Sequence, residues 1–150
     1  MLTLRPAQAQ DFDYCAALYF AGMDETIRNL DLDRDVQAAS FRKQWEPAQV
    51  RMTVRDGSDI GWLQSRVEGD TLFLAQLFVA APFQRQGNGT EMIGRLIEEA
   101  GYMRRAVTLG VVKTNPARRL YQRLGFRVTH EDDRKFYMRR EPEPKGESAD

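Results

Sequence analysis

The chain has 150 residues, enough for one domain with a single sizeable core. Lys and Arg total 22, as do Asp and Glu, so the formal net charge is zero, which argues against a nucleic-acid or membrane-surface protein driven by bulk electrostatics. The one cysteine, Cys15, allows no internal disulfide and points to a reducing compartment. No apolar run approaches the roughly 18 residues of a membrane span, and the opening MLTLRPAQAQD lacks the apolar stretch of a signal peptide. A soluble, cytoplasmic protein without internal repeats is expected.

In chain order, Leu2 to Arg5 reads as a short strand closed by Pro6. Asp11 can cap a helix in which Phe12, Ala16, Tyr19 and Met23 share one face. Cys15 lies in the same helix and reads as a small buried apolar group, with no histidine near it in sequence. The charged stretch 24–32, DETIRNLDL, reads as a loop. Asp33 can cap a second helix running to about Trp45 and ended by Pro47. Arg51 to Arg55 and Ile60 to Val67 read as strands joined by the hairpin signal Asp56-Gly57. Glu68-Gly69-Asp70 is a second turn, and Thr71 to Val79 would be the third strand of this meander.

The remaining chain is organised around 71–92, TLFLAQLFVAAPFQRQGNGTEM. Pro82 cannot donate to a strand ladder, so the strand should end before it. Met92, Ile93, Leu96, Ile97 and Ala100 recur at helical spacing, so a helix should begin near Asn88 or Gly89. Glycines at a helix start let the backbone approach a ligand, and the first N–H groups there lack intrahelical partners and carry the positive end of the dipole. That combination is a phosphate cradle. A third glycine for a dinucleotide fingerprint is absent, since residue 92 is Met, and the loop holds no nucleotide-binding lysine. What fits is [QR]-x-x-G-x-[GA], through Gln84, Gly87 and Gly89. Ala106 to Val112 reads as a strand in parallel crossover with 71–79. Asn115-Pro116 starts a last helix that Gly125 ends. Phe126 to His130 and Lys135 to Arg139 form a terminal hairpin, and 141–150, EPEPKGESAD, reads as a disordered polar tail after a domain spanning 1–140.

The glycine turn, together with NPARRLYQRLGF at 115–126, resembles the GCN5-related N-acetyltransferase (GNAT) superfamily. The resemblance covers roughly Leu2 to Arg140, and these two motifs carry most of its specificity. It implies an α/β (α+β) fold: a mixed, mostly antiparallel sheet of six to seven strands, flanked by about four helices. It also implies a splay between the strands 71–79 and 106–112, in which acetyl-CoA lies as cosubstrate. Backbone N–H groups from about Arg85 to Thr90 (Arg85, Gln86, Gly87, Asn88, Gly89 and Thr90) would take the pyrophosphate, and Gln84 joins them as a cofactor-binding residue of the motif. The backbone of Leu77, Phe78 and Val79 would pair with the pantetheine amides like an added strand and polarise the thioester carbonyl.

Tyr121 matches the tyrosine that, in many GNAT enzymes, protonates the departing thiolate; a phenol of reference pKa about 10 can do so. The same residue is spaced with Ala117, Leu120 and Leu124 as one helical face, so a core role fits too. Asn115 matches the family asparagine that contacts pantetheine or fixes the helix start, and an ordinary N-cap is the plain reading. No general base can be named. A family glutamate position on the fourth strand falls at about Phe73, and another family position, on the fifth strand, falls near Gly110. A water relay held by Gln76, or by Asp24 or Glu25, is the expectation, with Glu68 a further option. His130 reads as a surface or interface residue. Tyr19, Met23, Glu25, Trp45 and Gln76 are the candidates for the acceptor pocket, because the first two helices cover the acceptor site in GNAT proteins. The acidic run Asp24, Glu25, Asp31, Asp33 and Asp35 would suit a cationic acceptor, and solvation is its plain reading. The expected activity is acetyl transfer from acetyl-CoA to a primary amine of a small molecule or peptide, without metal, nucleic acid or membrane. Dimerisation is common in the superfamily, with the terminal hairpin a candidate contributor. A non-catalytic acyl-CoA-binding module is the alternative, and a nucleotide-binding protein is remote.

Overall fold

A computed structural model describes residues 1–143. Of the expected tail, 144–150 lie outside the described residues. Within 141–143, Glu141 accepts from Arg139 and Glu143 from Arg140. Seven strands form one mixed sheet in the order β1-β2-β3-β4-β5-β7-β6. They are β1 (Leu2–Pro6), β2 (Val50–Arg55), β3 (Ser58–Glu68), β4 (Thr71–Val79), β5 (Ala106–Val112), β6 (Arg127–Glu131) and β7 (Lys135–Arg140). Four helices accompany them: α1 (Phe12–Asn29), α2 (Arg34–Gln44), α3 (Asn88–Tyr102) and α4 (Ala117–Arg123). Two compact units share these elements, one of residues 1–64 and 76–89, the other of 65–75 and 90 onward.

In the first unit, β1 and β2 are antiparallel, as are β2 and β3. Asp56 and Gly57 join β2 to β3 with φ of 52° and 84°. Positive φ at both central residues is what a type I′ hairpin turn demands, and Asp-Gly supplies it at little cost. A register shift between Thr53 and Val54 bulges the ladder. The core of this unit is aromatic: Cys15, Tyr19, Phe41, Val50, Met52 and Trp62 are buried, with Phe12, Met23, Trp45 and Phe78 packed against them. Burial pushes the Cys15 thiol up to about 12, so it is an inert core group.

Two expectations for this unit need correction. The stretch expected as a loop after Met23 is helical to Asn29. Ile27 lies four residues after Met23 and is buried, so the apolar stripe continues beneath the charges; Asp24 also meets Arg28 across one turn. Asp11 sits at the N-cap position of α1, but its carboxylate does not cap that helix. It accepts two bonds from the Arg5 guanidinium, each 3.1 Å, and one from the Gln8 N–H at 2.8 Å. Asp33 does cap α2, accepting from the N–H groups of Asp35 and Val36.

In the second unit, β4 and β5 are parallel, with Thr71–Leu74 facing Ala106–Leu109. The ladder ends there, although both strands continue. β5 pairs with β7, and β7 with β6, both antiparallel. Met92, Ile93, Leu96 and Ala100 of α3 are buried along one helical face, and Ala106, Val107, Leu109 and Val111 of β5 are buried too. Arg104, at φ 54°, ends α3 where the Arg105 N–H returns to the Ala100 carbonyl. No helix among the described residues is long and apolar enough to cross a membrane.

Candidate functional site

β4 gives way at Ala80 to a 3-10 turn, Ala81–Phe83, with proline in its first positions. The six residues after it build a cradle from main chain. Gln84, Gln86 and Asn88 alternate, and each donates its side-chain amide to a carbonyl behind it. Gln84 Nε2 reaches Val79 O at 2.8 Å, Gln86 Nε2 reaches Pro82 O at 3.0 Å, and Asn88 Nδ2 reaches Phe83 O at 2.9 Å. These bonds tie the carbonyls into the turn. Arg85 and Gly87 take left-handed φ of 62° and 83°. Left-handed φ at alternate residues is compatible with an anion-binding nest. Among the described residues, the N–H groups of Arg85, Gln86 and Gly87 have no acceptor. α3 begins at once, adding the positive dipole end of its first turn. Nothing crowds a side chain at Gly87, so its φ is what calls for glycine. At Gly89 the nearest atoms to an added Cβ are at an ordinary 3.9 Å, so the fold itself accepts a small side chain there.

The end of β4 is held from two sides. A Cβ on Gly61 of β3 would collide with the Phe78 carbonyl oxygen and stand 3.2 Å from the Val79 Cα. A Cβ on Gly22 of α1 would stand 2.8 Å from the Phe78 ring. That ring also meets Trp62 at 5.4 Å and Tyr19 at 5.8 Å between centroids. One glycine therefore admits the Phe78 main chain and another admits its side chain. The Ala80 N–H donates to Ile60 O at 2.8 Å, beside the bulged stretch of the β2–β3 ladder. Sequence reasoning missed Gly22 and Gly61. A lone glycine inside a strand pattern, which Gly61 is, signals such a close backbone approach.

In the second unit, Asn115 Oδ1 accepts from the Ala117 N–H at 2.9 Å and so opens α4. The Leu-Gly-Phe end of the motif is a Schellman cap: Phe126 N–H returns to Tyr121 O, Gly125 N–H returns to Gln122 O, and Gly125 has φ 96°. Such caps place an apolar contact between the residues at positions 121 and 126, and the two rings lie 5.7 Å apart. Tyr121 thus has a packing role independent of any chemistry. Burial raises its phenol above the ordinary value, so it keeps its proton at neutral pH.

The acceptor candidates all belong to the first unit. Tyr19 is buried against Phe41, Phe20 and Phe78, and Trp45 packs edge-on against Phe12. Met23 is half-buried at the edge of this cluster, Gln76 is half-buried on β4, and Glu25 is exposed on α1 rather than on a loop. Of the acidic run, Asp24 already pairs with Arg34 at 3.2 Å and Asp33 is spent on its cap. Glu68 pairs with Arg66, whose guanidinium also covers Phe73 at 4.8 Å from the ring centre. At Gly110, a Cβ would stand 3.3 Å from the Tyr137 ring. The Tyr137 hydroxyl donates to Asp132, and with two backbone N–H groups it holds that carboxylate down at about 2. His130 is exposed and stacks on Tyr137 at 4.6 Å. No group of three or more candidate metal ligands occurs among the described residues.

The model of the acetyltransferase (GNAT) domain family matches residues 48–128, which contain both motifs. The chain belongs to the GNAT acetyltransferase family. No curated protein sequence matches this GNAT chain. Among solved structures, it resembles the PaiA N-acetyltransferase of Thermoplasma acidophilum in complex with coenzyme A, with a TM-score of 0.77 at 13% identity over 94% of this chain and 99% of the other. Ard1 of Thermoplasma volcanium gives 0.71 at 18% identity over 95% and 99%. The ribosomal-protein-S18-alanine N-acetyltransferase of Escherichia coli gives 0.67 at 20% identity over 98% and 97%. Identities this low establish the GNAT fold alone.

Proposed function

We propose that the protein transfers an acetyl group from acetyl-CoA to a primary amine. The observation that carries this reading is the row of unpartnered N–H groups at Arg85, Gln86 and Gly87, leading into the first turn of α3. It fits a diphosphate, and the CoA complex of the Thermoplasma acidophilum relative supports the choice of cosubstrate. Gly89 and Thr90 extend the cradle. Leu77 and Phe78 pair with the pantetheine arm, and a main-chain N–H of this stretch polarises the thioester carbonyl. The Val79 carbonyl accepts from Gln84 Nε2, so Gln84 acts as a brace between strand and turn, and the second lone pair of that oxygen is left for the pantetheine arm. Asn115 fixes the start of α4.

Tyr121 donates its proton to the sulfur that leaves as the amine attacks. Water held by Gln76 takes up the proton that the amine loses. The reaction runs in the cytoplasm, where a lone thiol stays reduced. The acceptor is a small-molecule or peptide amine bound near α1 and α2.

A non-catalytic acyl-CoA-binding role is the second reading, favoured by Phe73, packed beneath Arg66 where a family carboxylate would stand. Release of CoA from acetyl-CoA in the presence of a panel of primary amines, followed by thiol titration, separates the two. Tyr121→Phe keeps the ring contact with Phe126 and removes only the hydroxyl. It should lower turnover by about tenfold or more while leaving CoA affinity and melting temperature nearly unchanged. Unchanged turnover would remove the acid role, and no turnover with any amine despite CoA binding would favour the second reading.

A further inference from the structure

Asn88 is the first residue of α3 and is 3% exposed, whereas Gln84, Arg85 and Gln86 of the same turn are exposed. Its side-chain amide is engaged at both ends. Nδ2 donates to Phe83 O, and Oδ1 accepts from Arg55 Nε, each at 2.9 Å. The first bond closes the loop 83–88, the stretch that carries the N–H groups of Arg85, Gln86 and Gly87. The second fixes that closed loop to the end of β2. Starting a helix requires neither bond. A capping side chain would accept a main-chain N–H of the first turn, and here the oxygen faces Arg55 instead. Burying an amide is unfavourable unless its bonds are made, so packing alone would be served as well by an apolar residue.

We infer that Asn88, held by Arg55, is a positioning residue for the anion cradle, fixing residues 83–88 so that the N–H groups of Arg85, Gln86 and Gly87 converge on the diphosphate of the cosubstrate. The inference rests on the acetyl-CoA reading above. The Asn88 side chain acts through the main chain and touches no reacting atom. Gln84 and Gln86 brace the same loop from its exposed side, where water competes for their bonds. Asn88 is the brace from which water is excluded.

The test compares donors with and without the diphosphate. In Asn88→Leu, the calorimetric Kd for CoA and the KM for acetyl-CoA should rise about tenfold, as loss of a buried hydrogen bond implies. kcat at saturation should stay within about twofold, because the bond acts on the diphosphate cradle rather than on the reacting atoms. With S-acetylpantetheine, which carries no diphosphate, kcat/KM should match the wild type. An unchanged Kd for CoA, or an equal loss with both donors, would overturn the inference. Arg55→Met provides the second variant, should Asn88→Leu fail to fold. It should weaken CoA in the same direction, with partial recovery in Arg55→Lys. In the double variant the two effects should not add. Full additivity, or an unchanged Kd in Arg55→Met, would overturn the coupling. Wild-type protein that binds no CoA overturns the cofactor reading, and the inference with it. Wild-type binding with unaffected variants overturns the inference alone.

Discussion

Gly61→Ala probes the packing that holds the end of β4. The added methyl would collide with the Phe78 carbonyl oxygen and lie 3.3 Å from its carbonyl carbon. Restoring an ordinary carbon–oxygen contact of about 3.3 Å requires the strand to withdraw by roughly 1 Å. The obstacle is backbone rather than a flexible side chain, so the cost falls toward the upper part of the ~1–3 kcal/mol of an overpacked core. Replacing glycine also restricts the unfolded chain, which returns about 0.4–1 kcal/mol. The net loss is about 2 kcal/mol, or a fall of about 4–8 °C in melting temperature for a chain of this size. Gly94→Ala is the control. It has the same unfolded-state gain, lies within α3 and meets nothing within 4 Å, so it should raise the melting temperature by about 2–3 °C. The functional consequence is larger. A displacement of about 1 Å in groups that orient a thioester costs on the order of 100-fold in turnover. Calorimetric melting and single-turnover acetylation read the two effects separately. A variant that melts like the wild type would refute the packing argument. One that melts early but turns over normally would refute the role of the Phe78 main chain in the reaction.

Asp11→Ala removes the acceptor of two Arg5 bonds and of the Gln8 N–H. Urea titration at pH 7 should show a loss of about 2 kcal/mol. The Arg5 guanidinium holds the Asp11 carboxyl below its ordinary value, and the Gln8 N–H assists against the opposing effect of burial. A depressed carboxylate stabilises the fold fully above the unfolded-state value of about 3.9, and that contribution is lost as pH falls through the lower folded-state value. The difference between wild type and variant should therefore shrink during acid titration, and a constant difference would contradict the pairing. Tyr121 has the opposite sign: burial raises its phenol, so its protonated form persists above pH 10. The kcat profile should show no alkaline loss from this group below that pH, and such a loss that vanishes in Tyr121→Phe would contradict its half-buried, desolvated setting.

The features legible in the sequence were those in which a local backbone requirement names its residue. Asp56-Gly57 reads as a hairpin because both positions need positive φ, and both have it. Asp33 before α2 and Gly125 after α4 read as helix ends for the same local reason. The glycine turn reads as a break between strand and helix, and Gly87 has the left-handed φ that calls for glycine. What was illegible depends on partners distant in sequence. The last turns of α1 were hidden because five charged residues in 24–33 conceal the one buried position, Ile27. Asp11 has the residue type and place of a helix cap, and its competing partner, Arg5, belongs to a strand whose position the local pattern does not give. Gly22 and Gly61 are two unremarkable glycines in sequence, related only by meeting Phe78. In sequence Asn88 reads as a helix start and a main-chain position of the turn; its side-chain partner, Arg55, lies 33 residues earlier. The acceptor site stayed illegible because the aromatic residues of the first two helices serve the core whether or not they also meet a substrate.

The central claim is that the turn from Gln84 to Gly89 holds coenzyme A. Calorimetric titration of the folded protein with acetyl-CoA, with NADH and ATP as controls, tests it most directly. Micromolar binding of acetyl-CoA with no response to either control is the predicted result. A folded protein that binds no acetyl-CoA, or binds the controls equally well, would contradict it.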